Sequence, residues 1–223
     1  MGLVRMGPPI ELIIKLRDDY GVKDFIETGT FRGDTALWAS GVFERVVTIE
    51  KSEAVHKDTV KRLGLVKNIE FLYGDTRKKL AEIVPGLKGS TIFWLDAHWS
   101  GGETYGMEDQ CPLLDELGIL NRSKTDHFIF IDDARLFLSP PQPPHLIESW
   151  PDISSVIWVL NSQEGRYIVI IEDTIIAVPC FAKPLIAAYC HEVNRRTWKE
   201  YTRSRWFRGI KSIIKRVGRR IKD

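Results

Sequence analysis

Two short runs concentrate side chains that can do chemistry: Asp96-Ala97-His98-Trp99 and Asp132-Asp133-Ala134-Arg135. Each ends an apolar stretch that reads as a strand, at roughly 91–96 and 127–132. Neighbouring parallel strands would set Asp96, Asp132 and Asp133 close together at one sheet edge. Three carboxylates in one place repel each other unless a cation or protons neutralise them. Hard oxygen ligands with room for water suit Mg²⁺ or Mn²⁺. Blander roles stay open for each residue. Asp132 could cap a helix, Asp133 could pair with Arg135, and His98 could be a ligand or simply hydrogen-bond its own loop.

A second run, residues 24–35, has the residue types of a ligand-binding turn. Phe25 and Ile26 lead to Glu27, followed by Gly29 and Gly33, and a helix-forming segment opens at Asp34-Thr35-Ala36-Leu37-Trp38. Gly29 allows a backbone conformation barred to other residues and lets a ligand approach the main chain. Gly33 leaves room where a helix packs on the strand. Thr30, Asp34 and Thr35 are first-turn or capping candidates. Such a loop binds the polar part of a nucleotide-like cofactor; an isolated glycine pair can equally be a tight turn with no ligand. Glu50, 23 residues after Glu27, ends a second apolar strand, where a Rossmann-like unit places an acid for ribose hydroxyls. Gly74-Asp75 ends a third.

The elements that must position these residues alternate. Strands are expected at 24–28, 45–50, 69–73, 91–96 and 127–132, with helices at 34–41, 52–63, 76–84 and 111–121, and a leading helix over 8–20. That alternation is the signature of a parallel sheet built from βαβ units. After residue 153 the pattern changes. Ser155–Leu160, Tyr167–Ile171 and Thr174–Val178 read as strands joined by short turns, Gln163-Glu164-Gly165 and Glu172-Asp173, and short connections require antiparallel neighbours. The Pro-rich run 139–144 is a rigid spacer or a substrate-side wall. Residues 99–112, with Trp99, Tyr105 and three glycines, read as a mobile lid or a solvated loop.

Glu27-x-Gly29-x-x-x-Gly33, Glu50 and Gly74-Asp75 resemble the first three motifs of class I S-adenosylmethionine-dependent methyltransferases, over most of residues 20–180. The resemblance implies a Rossmann-like α/β fold, with a mostly parallel sheet and antiparallel C-terminal strands. It also implies a cofactor site of Glu27, Gly29, Thr30, Gly33, Glu50, Asp75 and Thr76. A nicotinamide site fits less well, because Phe31 stands where a second glycine would let a pyrophosphate come close. Asp96 with the consecutive Asp132-Asp133 resembles one branch, the metal-dependent O-methyltransferases of the macrocin O-methyltransferase type, which act on sugar hydroxyls. That implies Asp96, Asp132 and Asp133 as ligands of Mg²⁺ or Mn²⁺, and His98, with Asp96, as the catalytic residues. The family often has Asp at the position of His98; a neutral His can take a hydroxyl proton near neutral pH. The implied acceptor is a sugar or a glycosylated small or lipid-linked molecule. A metal-dependent hydrolase and a non-catalytic membrane-associated module are the rival readings.

The chain has 223 residues, 43% hydrophobic and 28% charged, enough for one large α/β domain. No run of about 18 apolar residues is present, residues 1–20 lack a secretory core, and Cys111, Cys180 and Cys190 show neither zinc nor disulfide spacing. A cytoplasmic protein is expected, and a homo-oligomer is compatible. The net charge of +2 divides unevenly: residues 195–223 carry +10. The expected organisation is a methyltransferase domain over 1–194 and a basic tail over 195–223. From Trp206 the apolar residues Trp206, Phe207, Ile210, Ile213, Ile214, Val217 and Ile221 fall on one helical stripe, with Lys and Arg on the rest of the wheel. That is a basic amphipathic helix, suited through residues 203–223 to an anionic membrane at the inner face; docking on the protein's own core, a disordered tail and RNA binding are the alternatives. Asp96-Ala97-His98-Trp99, in place of an Asn/Asp-Pro-Pro-Tyr motif, argues against methylation of a nucleic-acid base.

Overall fold

The computed structural model describes residues 6–99 and 109–220, with residues 204–220 as backbone alone. The chain divides into two compact units, Val4–Lys183 and one built on Pro184–Asp223. The division falls after Lys183 because a single helix, α8 (Lys183–Arg220), runs unbroken through the expected boundary at 194. The side chains of the apolar stripe beyond residue 203, and Tyr105 of the expected lid, lie outside the described residues.

In the first unit the expected βαβ alternation is present. The strands are β1 (Asp24–Thr28), β2 (Arg45–Glu50), β3 (Ile69–Tyr73), β4 (Thr91–Leu95), β5 (Phe128–Ile131), β6 (Arg166–Ile171) and β7 (Thr174–Pro179). They form one sheet in the order β3-β2-β1-β4-β5-β7-β6. The first five are parallel, and β7 is antiparallel to both β5 and β6. Central-strand residues such as Phe25, Ile26, Phe93, Trp94, Phe128 and Phe130 are fully buried whichever face they point to. A sheet covered on both faces needs such continuous apolar runs. Helices α1 (Ile10–Tyr20), α2 (Asp34–Ser40), α3 (Glu53–Leu63), α4 (Thr76–Ile83) and α5 (Leu113–Leu120) supply the cover, and a one-turn helix, α6 (Arg135–Leu138), follows β5.

One expected strand is a helix. Residues 155–160 lie within α7 (Ile153–Asn161). The β-branched residues Ile153, Val156, Ile157 and Val159 suggest a strand, but the buried positions, Val156 and Leu160, are four apart. The Asp152 carboxylate accepts a hydrogen bond from the Ser155 nitrogen at 2.8 Å and starts the helix. The closing strands are therefore two, β6 and β7. Their turn, Glu172-Asp173, has positive φ at both residues (49° and 70°), the two-residue geometry that matches strand twist.

α2 starts at the expected place, with Asp34 in its first turn, but its cap differs from the side-chain candidates. Gly33 is its N-cap at φ 71°, with no side-chain cap. A Cβ there would meet Thr59 and Leu63 of α3 at 2.8 Å, so the room Gly33 leaves is for a neighbouring helix and not for its own strand.

Candidate active site

In this sheet β1 lies between β2 and β4, where the strand order reverses. The loops leaving the carboxyl ends of β1 and β4 diverge there, opening the crevice that open α/β sheets use for ligands. Two cavities lie along that edge. One, of about 230 Å³, is lined by Gly29, Phe31, Glu50, Asp96, His98, Asp132 and Asp133, among others. The other, of about 40 Å³, is lined by Gly29, Glu50, Lys51, Asp75, Thr76, Arg77 and Asp109, among others. Gly29, Glu50 and Ala97 border both.

Gly29 has φ 85°, and a Cβ on it would stand 2.2 Å from the Asp96 carbonyl oxygen. The main chain that comes closest is the loop after β4, so Gly29 first makes room for the protein itself. Behind it, Glu27 is buried and accepts from the Thr48 hydroxyl at 2.7 Å; Thr48 in turn meets Thr30 Oγ1 at 2.6 Å. Burial, reinforced by the charge of Asp96, raises the Glu27 pKa to about 8, with the Thr48 hydrogen bond opposing. Glu27, Thr30 and Gly33 thus build the floor of the loop, and Gly29, Glu50, Asp75 and Thr76 border the cavities.

Glu50 is held at its strand end by two backbone donors. Its Oε2 accepts from the Phe31 nitrogen at 3.0 Å and its Oε1 from the Ser52 nitrogen at 2.7 Å. Each carboxylate oxygen keeps lone-pair capacity for a ligand hydroxyl. Asp75 is more fully used. It caps α4 through the Arg77 nitrogen, pairs with the Arg77 guanidinium at 2.7 Å and meets Lys51 at 3.2 Å. Those bonds hold its carboxyl well below the usual carboxylate range. Arg77 also reaches Asp109. Behind Thr76 lies Glu116, buried, with no hydrogen-bond partner for Oε1 among the described residues, and pushed up to about 7 by burial.

The two chemical runs meet at the larger cavity. The pairings Trp94↔Phe130 and Leu95↔Ile131 put Asp96 and Asp132 at equivalent points of adjacent strands. Burial raises both carboxyl pKa values; for each, repulsion from the neighbouring acids adds to it and His98 opposes. Asp133, at φ 55°, turns towards His98, with Oδ2 2.9 Å from Nε2, while its Oδ1 meets Arg135 at 2.6 Å. Burial opposes the ionised form of Asp133, but these two partners win and keep its pKa low. Burial alone would lower the His98 pKa; the Asp133 hydrogen bond and the charges of Asp96, Asp133 and Asp132 outweigh it, and the net shift is upward. Asp96 Oδ1 stands 3.6 Å from the same nitrogen. Trp150 and Phe137 pack edge-on against the imidazole, with ring centres 5.4 and 6.4 Å away. Among the described residues no group of three or more His, Cys, Asp or Glu is arranged to hold a metal ion.

Sequence reasoning identifies the acids and the histidine but misses the groups that occupy them. Arg77 beside Asp75 comes from the same helix start, while Lys51 and Asp109 near Asp75, and Asp173 on Arg135, come from other loops. The Arg77 pairing has a local signal, since Asp75 and Arg77 are two apart at a helix start. Asp173 has none, lying 38 residues from Arg135.

No protein-family model matches the chain, and no curated protein matches its sequence. Solved structures do resemble it. A Staphylococcus aureus protein assigned as a caffeoyl-CoA O-methyltransferase aligns with a TM-score of 0.56 at 14% identity, over 79% of this chain and 86% of its own. The SAH-bound Podospora anserina methyltransferase PaMTH1 aligns with a TM-score of 0.51 at 15% identity, over 78% and 80%. At such identities the likeness establishes the fold, the Rossmann-like methyltransferase fold with antiparallel C-terminal strands.

Proposed function

We propose that this chain is an S-adenosylmethionine-dependent O-methyltransferase whose acceptor is a hydroxyl of a sugar or glycosylated molecule. The observation that carries the reading is one cavity bordered both by Gly29 and Glu50 and by His98 and three carboxylates. Methyl transfer needs both in one space. S-adenosylmethionine, when bound, supplies a methyl group on a positively charged sulfur. Glu50 fits its ribose, because the two backbone donors fix the carboxylate and leave acceptor capacity. Thr76, with Gly29 and Ala97, borders the smaller space beyond. His98 takes the acceptor's proton, and the aromatic wall of Trp150 and Phe137 keeps the ring in place.

The donor set fits a divalent cation in part. Asp96 and Asp132 are buried carboxylates that repel each other, a charge excess that Mg²⁺ or Mn²⁺ would relieve. They would hold the ion, which would make the acceptor hydroxyl more acidic. Asp133 is committed to His98 and Arg135. That commitment favours a second reading, in which the His98–Asp133 pair removes the proton without a metal.

The basic tail extends the proposal to a partner. Residues 203–223, helical in backbone to Arg220, would lie on an anionic membrane and suit a lipid-linked acceptor. Among the described residues no helix is long and apolar enough to cross a membrane.

Calorimetry with S-adenosylmethionine, followed by an acceptor screen with labelled cofactor with and without chelator, tests the reading. Binding and chelator-sensitive labelling of a glycan are expected. Metal binding without cofactor binding would favour a hydrolase instead.

A further inference from the structure

The β6–β7 turn lands on the segment that carries Asp133. Because β7 lies beside β5, the turn meets the chain as it leaves β5. The Asp173 carbonyl accepts from the Ala134 nitrogen at 2.8 Å, and its Oδ1 accepts from the Arg135 nitrogen at 2.8 Å. Its Oδ2 pairs with Arg135 Nη1. That same Nη1 reaches Asp133 Oδ1 at 2.6 Å, and Asp133 Oδ2 reaches His98 Nε2 at 2.9 Å. A continuous chain of contacts therefore runs from the hairpin turn to the cavity. Asp173, Asp133 and His98 are nearly closed to solvent, with side chains 3%, 11% and 5% exposed.

The direction of the last bond follows from donor chemistry. An ionised carboxylate only accepts, so His98 Nε2 carries the hydrogen. In the neutral ring Nδ1 is then the acceptor. A long Arg side chain held only by Asp133 would sample other rotamers. Asp173 grips both its backbone nitrogen and its guanidinium. Glu172, Asp173 and Asp133 all have positive φ, uncommon outside glycine, so the backbone is constrained at both ends of the grip.

We propose that Asp173 and Arg135 are positioning residues that keep Asp133 on His98 Nε2, fixing the Nε2–H tautomer and leaving Nδ1 to receive a proton from the acceptor. The identity of that proton rests on the methyltransferase reading; the clamp does not.

The test uses full-length protein labelled with ¹⁵N in histidine, in chelator, at alkaline pH, where the His98 ring is neutral. Long-range ¹H–¹⁵N correlations report the tautomer of each ring, and His98→Gln assigns the signal. Wild type should show a single Nε2–H pattern at His98. Asp173→Asn keeps an acceptor for the Arg135 nitrogen but loses the ion pair, and should give a mixed pattern at His98. Arg135→Lys should do the same, and serves if Asp173→Asn folds poorly. The signals of His56, His127, His145 and His191 should not move, which separates loss of the clamp from general loosening. An Nδ1–H pattern in wild type, or an unchanged His98 pattern in both variants, overturns the proposal. If S-adenosylmethionine fails to bind while the tautomer follows the variants, the methyltransferase reading falls and the clamp stands.

Discussion

The Thr48 hydroxyl donates to Glu27 Oε2 across 2.7 Å, between strands paired in register, where neither residue meets solvent. Burial outweighs the hydroxyl hydrogen bonds from Thr48 and Thr35, so the proton is retained and the Glu27 pKa rises to about 8 from 4.5. Between those pH values the native state binds more protons than the unfolded chain. Stability therefore falls as pH rises through this window, at up to about 1.4 kcal/mol per unit. Glu27→Gln should flatten that slope and narrow the gap to wild type as pH rises. Urea unfolding at pH 5 and pH 8 measures it; parallel losses in both proteins would refute the account.

Gly29 should tolerate no side chain. Alanine would add left-handed strain and a contact with the Asp96 carbonyl at 2.2 Å. A loss of about 2–5 kcal/mol in unfolding free energy is expected, together with loss of cofactor binding. A folded Gly29→Ala protein with unchanged urea midpoint would contradict the packing described for the β4 loop.

Glu50→Ala should weaken S-adenosylmethionine by about 1.5–3 kcal/mol, roughly 10- to 150-fold. It removes the proposed ribose contact and strands the Phe31 and Ser52 nitrogens. Calorimetry reads it directly, and unchanged affinity would place the cofactor elsewhere.

For the cation, Mn²⁺ should bind wild type, and Asp96→Asn or Asp132→Asn should weaken it at least tenfold while cofactor affinity stays within about threefold. Asp133→Asn should act more on turnover than on Mn²⁺ affinity. Full turnover in chelator would select the metal-free His98–Asp133 reading.

The tail is tested by co-sedimentation with vesicles. Binding should need anionic lipid, weaken with salt and vanish when residues 203–223 are removed. Equal pelleting of full-length and truncated protein rules out the membrane partner.

How much of this is legible in the residues follows from range. Strand and helix positions come from apolar periodicity within a few residues, so β1 to β5 sit within a residue or so of their expected places. Acids at strand ends are equally readable, because parallel strands all present their carboxyl ends to one edge. That is why Glu27, Glu50, Asp96 and Asp132 group together on the strength of the sequence alone. The helix at 153–161 reads wrongly as a strand because β-branched residues serve either state, and the cap at Asp152 with burial every fourth residue decides it. What only the tertiary structure decided are contacts between distant turns: Asp96 against Gly29, Arg77 on Asp109, Asp173 on Arg135. These depend on strand order, above all on β7 entering beside β5. That order is chosen by packing summed over the whole chain, which no local pattern of residues encodes.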